Sequence, residues 1–132
     1  MKKYAMVFDA GTGAGRCNLF DMSGRLVSYA YREWEYLKDL SSSNKEAMLF
    51  DAEQFKKILF SLCRKVITQA GISADEVVAV SATSKREGMV WLDRFGKEIY
   101  AAPSVDLRGE EAADILSGKE PFIKEITGLP VS

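Results

Sequence analysis

The stretch Phe8–Arg16, FDAGTGAGR, sets one carboxylate, a run of small residues and one guanidinium close together. Asp9 ends an apolar run and so stands at a strand end, where a carboxylate can hold a hydrated Mg²⁺. Gly11, Thr12, Gly13, Ala14 and Gly15 place little side chain before their N–H groups, so the turn can form an anion-accepting nest. Arg16 can neutralise a transferring phosphoryl group. The same residues also suit a plain glycine-rich hairpin. Two nucleotide motifs are excluded. No Gly-Lys-Ser/Thr follows, as a Walker loop requires, and the segment after Gly15 alternates like a strand instead of opening a helix, as a dinucleotide fingerprint does.

The elements that must hold these residues follow from periodicity. Tyr4–Asp9 reads as a buried strand, because Tyr4–Phe8 is continuously apolar. Arg16–Asp21 alternates, with Cys17 and Leu19 on one face, and Leu26–Trp34 makes a third strand after a Ser23-Gly24 turn that can adopt positive φ. Leu37–Ala47 has no period and reads as an exposed loop. A helix then starts at an Asp51 cap, with Gln54 reaching back and Phe50 and Phe55 placed for a hydrophobic staple. Phe55, Ile58, Leu59, Leu62, Cys63, Val66, Ile67 and Ala70 form its apolar face, Lys56, Lys57, Arg64 and Lys65 a solvated one, and Gly71 ends it. Val77–Ala82 suits a central parallel strand reached by that crossover helix. A hairpin about Asp93–Lys97, a helix over Leu107–Leu116 ended by Gly118, and a short helix from Pro121 to Gly128 complete the order. The fold class is α/β, and the order matches the front half of a ribonuclease H-like domain, the motif of actin-like ATPases.

Composition narrows the partners. The chain has 132 residues, 47% of hydrophobic type, enough for one domain with a core. With 18 basic and 19 acidic residues the net charge is −1, which gives no footprint for nucleic acid or an anionic membrane. The N-terminal MKKYAMVFDAG has too short an apolar stretch for a signal sequence, and no other segment reaches membrane-spanning length. Cys17 and Cys63 sit in apolar patterns as reduced thiols, in keeping with a cytoplasmic setting. The chain has no histidine, which excludes Ser-His triads, histidine bases and mixed Cys/His zinc sites.

DAGTGAGRCNLFDMSGRLV resembles the opening of the FGGY carbohydrate kinases, and VVAVSATSKREGMVWLDRFGKEIYAAPSVDLRGEEAADI is similar to that family's next segment. REG at Arg86–Gly88 and VDLR at Val105–Arg108 look most like the branch acting on an autoinducer-type acceptor, and Arg86-Glu87 is also similar to the glycerol branch. The resemblance implies an ATP- and Mg²⁺-dependent kinase that phosphorylates a hydroxyl of a small sugar, polyol or autoinducer-type acceptor. By position, Gly11, Thr12, Gly13 and Arg16 would face the phosphate, Asp9 the metal, and Arg86, Glu87 and Asp106 the acceptor. A fork of donors beside acceptor-only carboxylates can orient a polyol's hydroxyls. An exposed ion pair and a helix cap are the simpler roles for those three residues. Lys85 has no part in this scheme.

The resemblance also implies that residues 1–132 are an incomplete first domain of a two-domain kinase. The general base and the adenosine-binding domain are then expected beyond Ser132, with no catalytic residue inside this stretch, which would be inactive and self-associating alone. For the full-length protein a homodimer stays open. Two other classes stand beside this one. A natural non-catalytic nucleotide- or partner-binding chain needs no base. A ribonuclease H-like nuclease needs carboxylates converging on Asp9, whereas Asp51 and Glu53 open the long helix.

Overall fold

The computed structural model describes residues 3–130, so Met1, Lys2, Val131 and Ser132 lie outside the described residues. Three strands come first: β1 (Tyr4–Ala10), β2 (Ala14–Asp21) and β3 (Leu26–Glu33). They form an antiparallel meander in which Asp9 stands opposite Arg16 and Cys17 opposite Ala30. Alternation along β2 buries Gly15, Cys17 and Leu19 on one face. The turn into β3 uses positive φ only at Gly24, not at Ser23. The Asp21 carboxylate accepts from the N–H groups of Ser23 and Arg25 and from the Ser23 hydroxyl, so Ser23 stays in ordinary backbone space and glycine alone takes the left-handed position.

Residues expected to form one exposed loop instead make a small hairpin, β4 (Leu37–Lys38) on β5 (Met48–Leu49), with Ala47 buried beside it. Pairing this short leaves no period for the eye to find. Helix α1 (Ala52–Ala70) starts where expected: the Asp51 carboxylate accepts from Gln54 N–H at 2.7 Å, and Phe50 and Phe55 meet edge to face at 4.8 Å between ring centroids. Only the Asp51 half of the expected capping box is formed. Gly71, at φ 64°, closes the helix by donating to the carbonyl of Thr68. Ile58, Leu62 and Val66 pack on Tyr4, Met6, Cys17, Leu19 and Ala30, which is the core between helix and sheet. Cys17 and Cys63 are free thiols there; burial, followed by the neighbouring Cys63, pushes the Cys17 thiol up to about 12.

After a 3₁₀ turn at Ala74–Glu76, strand β6 (Val77–Ser84) runs parallel to β1, giving the sheet order β3-β2-β1-β6. Parallel pairing after a crossover helix agrees with the expectation. Among the described residues β6, like β3, is an edge strand instead of a central one, and Val78 and Val80 are half or more exposed. Its continuously apolar sequence suits burial on both faces, and the described chain covers neither fully.

Strands β7 (Met89–Leu92) and β8 (Glu98–Ala102) form the expected hairpin. Its Asp93 carboxylate accepts from Phe95 and Lys97 N–H, and Gly96 takes positive φ, repeating the device at Asp21. The helix expected over Leu107–Leu116 is a 3₁₀ stretch, Arg108–Ala112, running into a single turn α2 (Ala113–Leu116). Leu107 holds the N-cap position of the 3₁₀ stretch without a side-chain bond, while the Asp106 carboxylate, one residue earlier, accepts from Arg108 N–H at 3.3 Å as well as from the Arg108 side chain. Helix α3 (Glu120–Thr127) carries Pro121 in its first turn and ends at Gly128, φ 71°.

Candidate active site

Because β1 and β6 are parallel, their carboxyl ends open on the same edge of the sheet, where ligands of α/β folds bind. The phosphate-side candidates follow β1. Arg16 Nη1 donates to Asp9 Oδ2 at 3.0 Å across the first hairpin, so carboxylate and guanidinium are held side by side and open to solvent. Between them the turn is tight: Gly11 N–H donates to the Ala14 carbonyl at 2.9 Å. None of Gly11, Gly13 and Gly15 has positive φ, so the turn lacks the alternating right- and left-handed backbone of a nest. Gly15 lies inside β2 and is needed for packing, since a Cβ there would stand 2.4 Å from the Trp34 ring. Gly13 faces open space.

The Thr12 carbonyl is fastened from behind. Trp34 Nε1 donates to it at 3.0 Å, and the Tyr36 hydroxyl also donates to it. Tyr36 accepts in turn from Lys85 Nζ at 3.0 Å. The Lys85 ammonium lies 3.9 Å from the Phe50 ring centroid and 4.7 Å from that of Tyr36, a cation–π clamp. Lys85 N–H donates to the Ala10 carbonyl at 2.7 Å, which stitches the end of β6 to the end of β1.

The acceptor-side candidates follow β6. Arg86 and Glu87 are exposed, and Glu87 has φ 64°, alone among the described non-glycine residues in that region. An acidic side chain held in left-handed backbone stores strain of order 1–2 kcal/mol, a feature concentrated at functional sites. Glu87 and Asp106 line one open cleft of about 680 Å³ with Tyr100, Ser104 and Arg108; Arg86 is not among its lining residues. Met89 and Ala102 also border the neighbouring hollow lined by Ala10 and Lys85.

Arg108 anchors Asp106. Its Nε donates to both Asp106 oxygens at 3.0 Å, Nη1 to Asp39 at 2.7 Å, and Nη2 to the Tyr100 hydroxyl at 2.6 Å and the Met48 carbonyl at 3.1 Å. Burial pushes the Asp106 carboxyl up, but hydrogen bonds from the Arg108 side chain and from Met48 and Arg108 N–H together outweigh it and hold it below the usual range. The Asp39 carboxyl is likewise held down, first by the Ser41 hydroxyl, and the Arg108 guanidinium is pushed up, first by its bond to Asp106. Asp106 therefore remains charged in the cleft. Sequence reasoning missed Tyr36, Lys85, Tyr100, Asp39 and Arg108; a lysine at the end of an apolar strand and the Trp34-x-Tyr36 spacing were the available signals.

The carboxylates that a metal-dependent nuclease would need near Asp9 are engaged elsewhere, Asp51 capping α1 and Glu53 pairing with Lys56 at 2.6 Å. Among the described residues no group of three or more His, Cys, Asp or Glu is placed to cage a metal, and no helix is long and apolar enough to cross a membrane.

The chain is similar to kinases of known sequence and structure. The autoinducer-2 kinase of Yersinia enterocolitica is 38% identical over 107 residues, covering 80% of this chain and 20% of that protein. The corresponding Salmonella typhimurium kinase is 36% identical, with 80% and 19% covered. The chain thus spans about a fifth of the length of the curated relatives it matches. The structure superposes on Plasmodium falciparum glycerol kinase with ADP at TM-score 0.79 and 21% identity, covering 99% of this chain and 26% of that one. It superposes on a ligand-bound xylulose kinase from Lactobacillus acidophilus at TM-score 0.71 and 16% identity, covering 93% and 24%. These likenesses establish the fold as the N-terminal part of a sugar-kinase, actin-like ATPase architecture. Residues 4–132 match the FGGY family of carbohydrate kinases, N-terminal domain, and the chain belongs to that family.

Proposed function

We propose that this chain is the N-terminal part of an ATP-dependent kinase that transfers the γ-phosphoryl group to a hydroxyl of a small sugar, polyol or autoinducer-type acceptor. One observation carries the reading: Asp9 near the end of β1 with its partner Arg16 on β2, and Glu87 just after β6, stand at the same edge of two parallel strands joined by the Lys85–Ala10 bond. Phosphoryl transfer is chiefly positioning and electrostatics, and this edge offers both. The Gly11–Thr12–Gly13 turn, open at Gly13, would approach the phosphates, with Arg16 stabilising the equatorial charge. Glu87 and Asp106 would accept from acceptor hydroxyls, and Arg86 would donate to them.

The donor set near Asp9 suits magnesium in one mode. A single exposed carboxylate with an oxygen beyond the Arg16 bond fits an ion that keeps most of its waters and leans on substrate phosphates. Asp9 would hold it there, and when bound it would spread the negative charge of the phosphates. The general base and adenosine-binding domain belong, in this proposal, to further sequence beyond Ser132. Exposed Trp91, Leu92, Ile99, Phe122 and Ile126 support burial against such a domain, and self-association of this stretch when isolated. The free thiols support a reducing, cytoplasmic setting.

The test is ADP release by the full-length protein with autoinducer-2, glycerol, xylulose and gluconate as acceptors. Release with at least one is expected. No release with any, together with retained ADP binding by calorimetry, would replace the kinase by a nucleotide-binding protein.

A further inference from the structure

Resting on the kinase reading, we propose that Lys85 is a positioning residue that locks the phosphate-side turn to the acceptor-side strand. From the acceptor-side strand, both its backbone and its ammonium reach the phosphate-side turn. The backbone N–H holds the Ala10 carbonyl at 2.7 Å, just before the Gly11 turn. The ammonium donates at 3.0 Å to the Tyr36 hydroxyl, which donates onward to the Thr12 carbonyl inside that turn. Arg86 and Glu87 follow immediately in sequence, so the turn and the acceptor residues are tied to a single side chain.

The surroundings hold the ammonium in one place. Phe50 lies 3.9 Å and Phe55 5.9 Å from it at their ring centroids, and Tyr36 4.7 Å. The phenyl rings are themselves packed: Trp34 lies tilted against Phe55 at 4.3 Å and Phe50 meets Phe55 edge to face at 4.8 Å. The clamp is thus built on the first turn of α1 and the segment after β3, both packed against the core. Gly88 completes it. A Cβ at that position would stand 2.8 Å from Lys85 Cε, so the residue that ends the Lys85–Gly88 turn is shaped around the lysine stem. A cation held among aromatic faces and engaged with a hydroxyl is spent inside the protein, and what it controls is the placement of the Thr12 carbonyl.

Misplacement of a transferring group by even a small distance lowers the rate of transfer more than it weakens binding. The experiment compares Lys85→Met, Lys85→Arg, Tyr36→Phe and the Lys85→Met/Tyr36→Phe double variant in the full-length protein. With the best acceptor, kcat should fall roughly tenfold in Lys85→Met and Tyr36→Phe, with both KM values changed by less than about threefold. The double variant should be no worse than either single one, because both break the same chain of bonds. Lys85→Arg, which keeps a cation on the rings, should recover most of the rate. Hydrogen exchange of the peptide covering Gly11–Ala14 should quicken roughly tenfold in the two singles and stay near wild type in Lys85→Arg. Unchanged kcat and unchanged exchange in Tyr36→Phe would overturn the proposal, as would additive losses in the double variant. If the wild type phosphorylates no acceptor while the exchange pattern is as stated, the kinase reading fails and the coupling stands.

Discussion

Asp9 and Arg16 face each other in register across the first hairpin, Nη1 to Oδ2 at 3.0 Å, with 33% and 52% of their side chains exposed. A pair this exposed adds at most about 1 kcal/mol to stability. What the pairing does is fix opposite charges side by side across the β1–β2 hairpin, the carboxylate and guanidinium that the proposed phosphate site would use.

Asp9→Asn should therefore separate function from folding. In the full-length protein, kcat/KM for ADP release is expected to drop by about 100-fold or more, the scale of losing one electrostatic partner in a transition state. The unfolding free energy should move by less than about 1 kcal/mol. Retained activity would remove Asp9 from the site.

Glu87→Gly tests whether strain and acceptor recognition share a residue. Glycine is at ease at φ 64°, so stability should rise by up to about 1 kcal/mol in denaturant titration. The KM for the acceptor should rise several-fold while that for ATP stays near wild type. Equal changes in both would show that Glu87 does not read the acceptor.

Arg108→Lys keeps the charge and loses the fork. A lysine cannot reach Asp106, Asp39, Tyr100 and the Met48 carbonyl together, so the expected destabilisation is roughly 1–3 kcal/mol, the range for leaving such groups unsatisfied. The β4–β5 hairpin should show it first, as faster hydrogen exchange around Asp39–Met48. A variant as stable as wild type would mean that water replaces the fork without loss.

The acid limb of the stability curve carries a signature of the Asp21 turn. The Ser23 hydroxyl, then Arg25 N–H, hold the Asp21 carboxyl down at about 2, below the ordinary value near 3.9. The folded state thus binds this proton less readily than the unfolded chain. Its contribution is complete above about pH 4 and is lost as pH falls through about 2. The stability gap between wild type and Asp21→Asn should be widest at neutral pH and close in that window; a gap independent of pH would contradict the assignment.

Gly15→Ala probes the wall behind the phosphate turn. The new methyl would stand 2.4 Å from Trp34 Cζ3, so the indole must shift, at a cost of roughly 1–3 kcal/mol. Because Trp34 Nε1 also holds the Thr12 carbonyl, reduced ADP affinity should accompany the drop in melting temperature.

Local rules carried much of this molecule. The Asp51 cap, the Phe50–Phe55 staple, Gly71, and the twin Asp-x-x-Gly turns at Asp21 and Asp93 each depend on residues a few positions apart. Alternation at Cys17 and Leu19 showed the buried face of β2 for the same reason. The turn at Gly11–Gly15 shows where composition misleads: small residues suggested a nest, yet Gly15 is small because Trp34 needs the room. Lys85 meets Tyr36 and Phe50, and Arg108 meets Asp39, only because strands far apart in sequence end side by side. No periodicity encodes such meetings, so the contacts that support the candidate site were not legible, while its exposed residues stood out.

The parallel pairing of β1 with β6 also sets an order of assembly. Asp9 and Arg16 come together through a short hairpin, but Asp9 meets Thr83, and Ala10 meets Ser84, only after the whole of α1 has been laid down. Closing that longer loop costs more chain entropy, so the local meander gains its contacts sooner. On a ribosome, the residues of the hairpin bearing the charged pair emerge before the strand leading to Glu87. The two sides of the candidate site thus close differently: one through sequence neighbours, the other only when the longer crossover is closed and β6 pairs with β1.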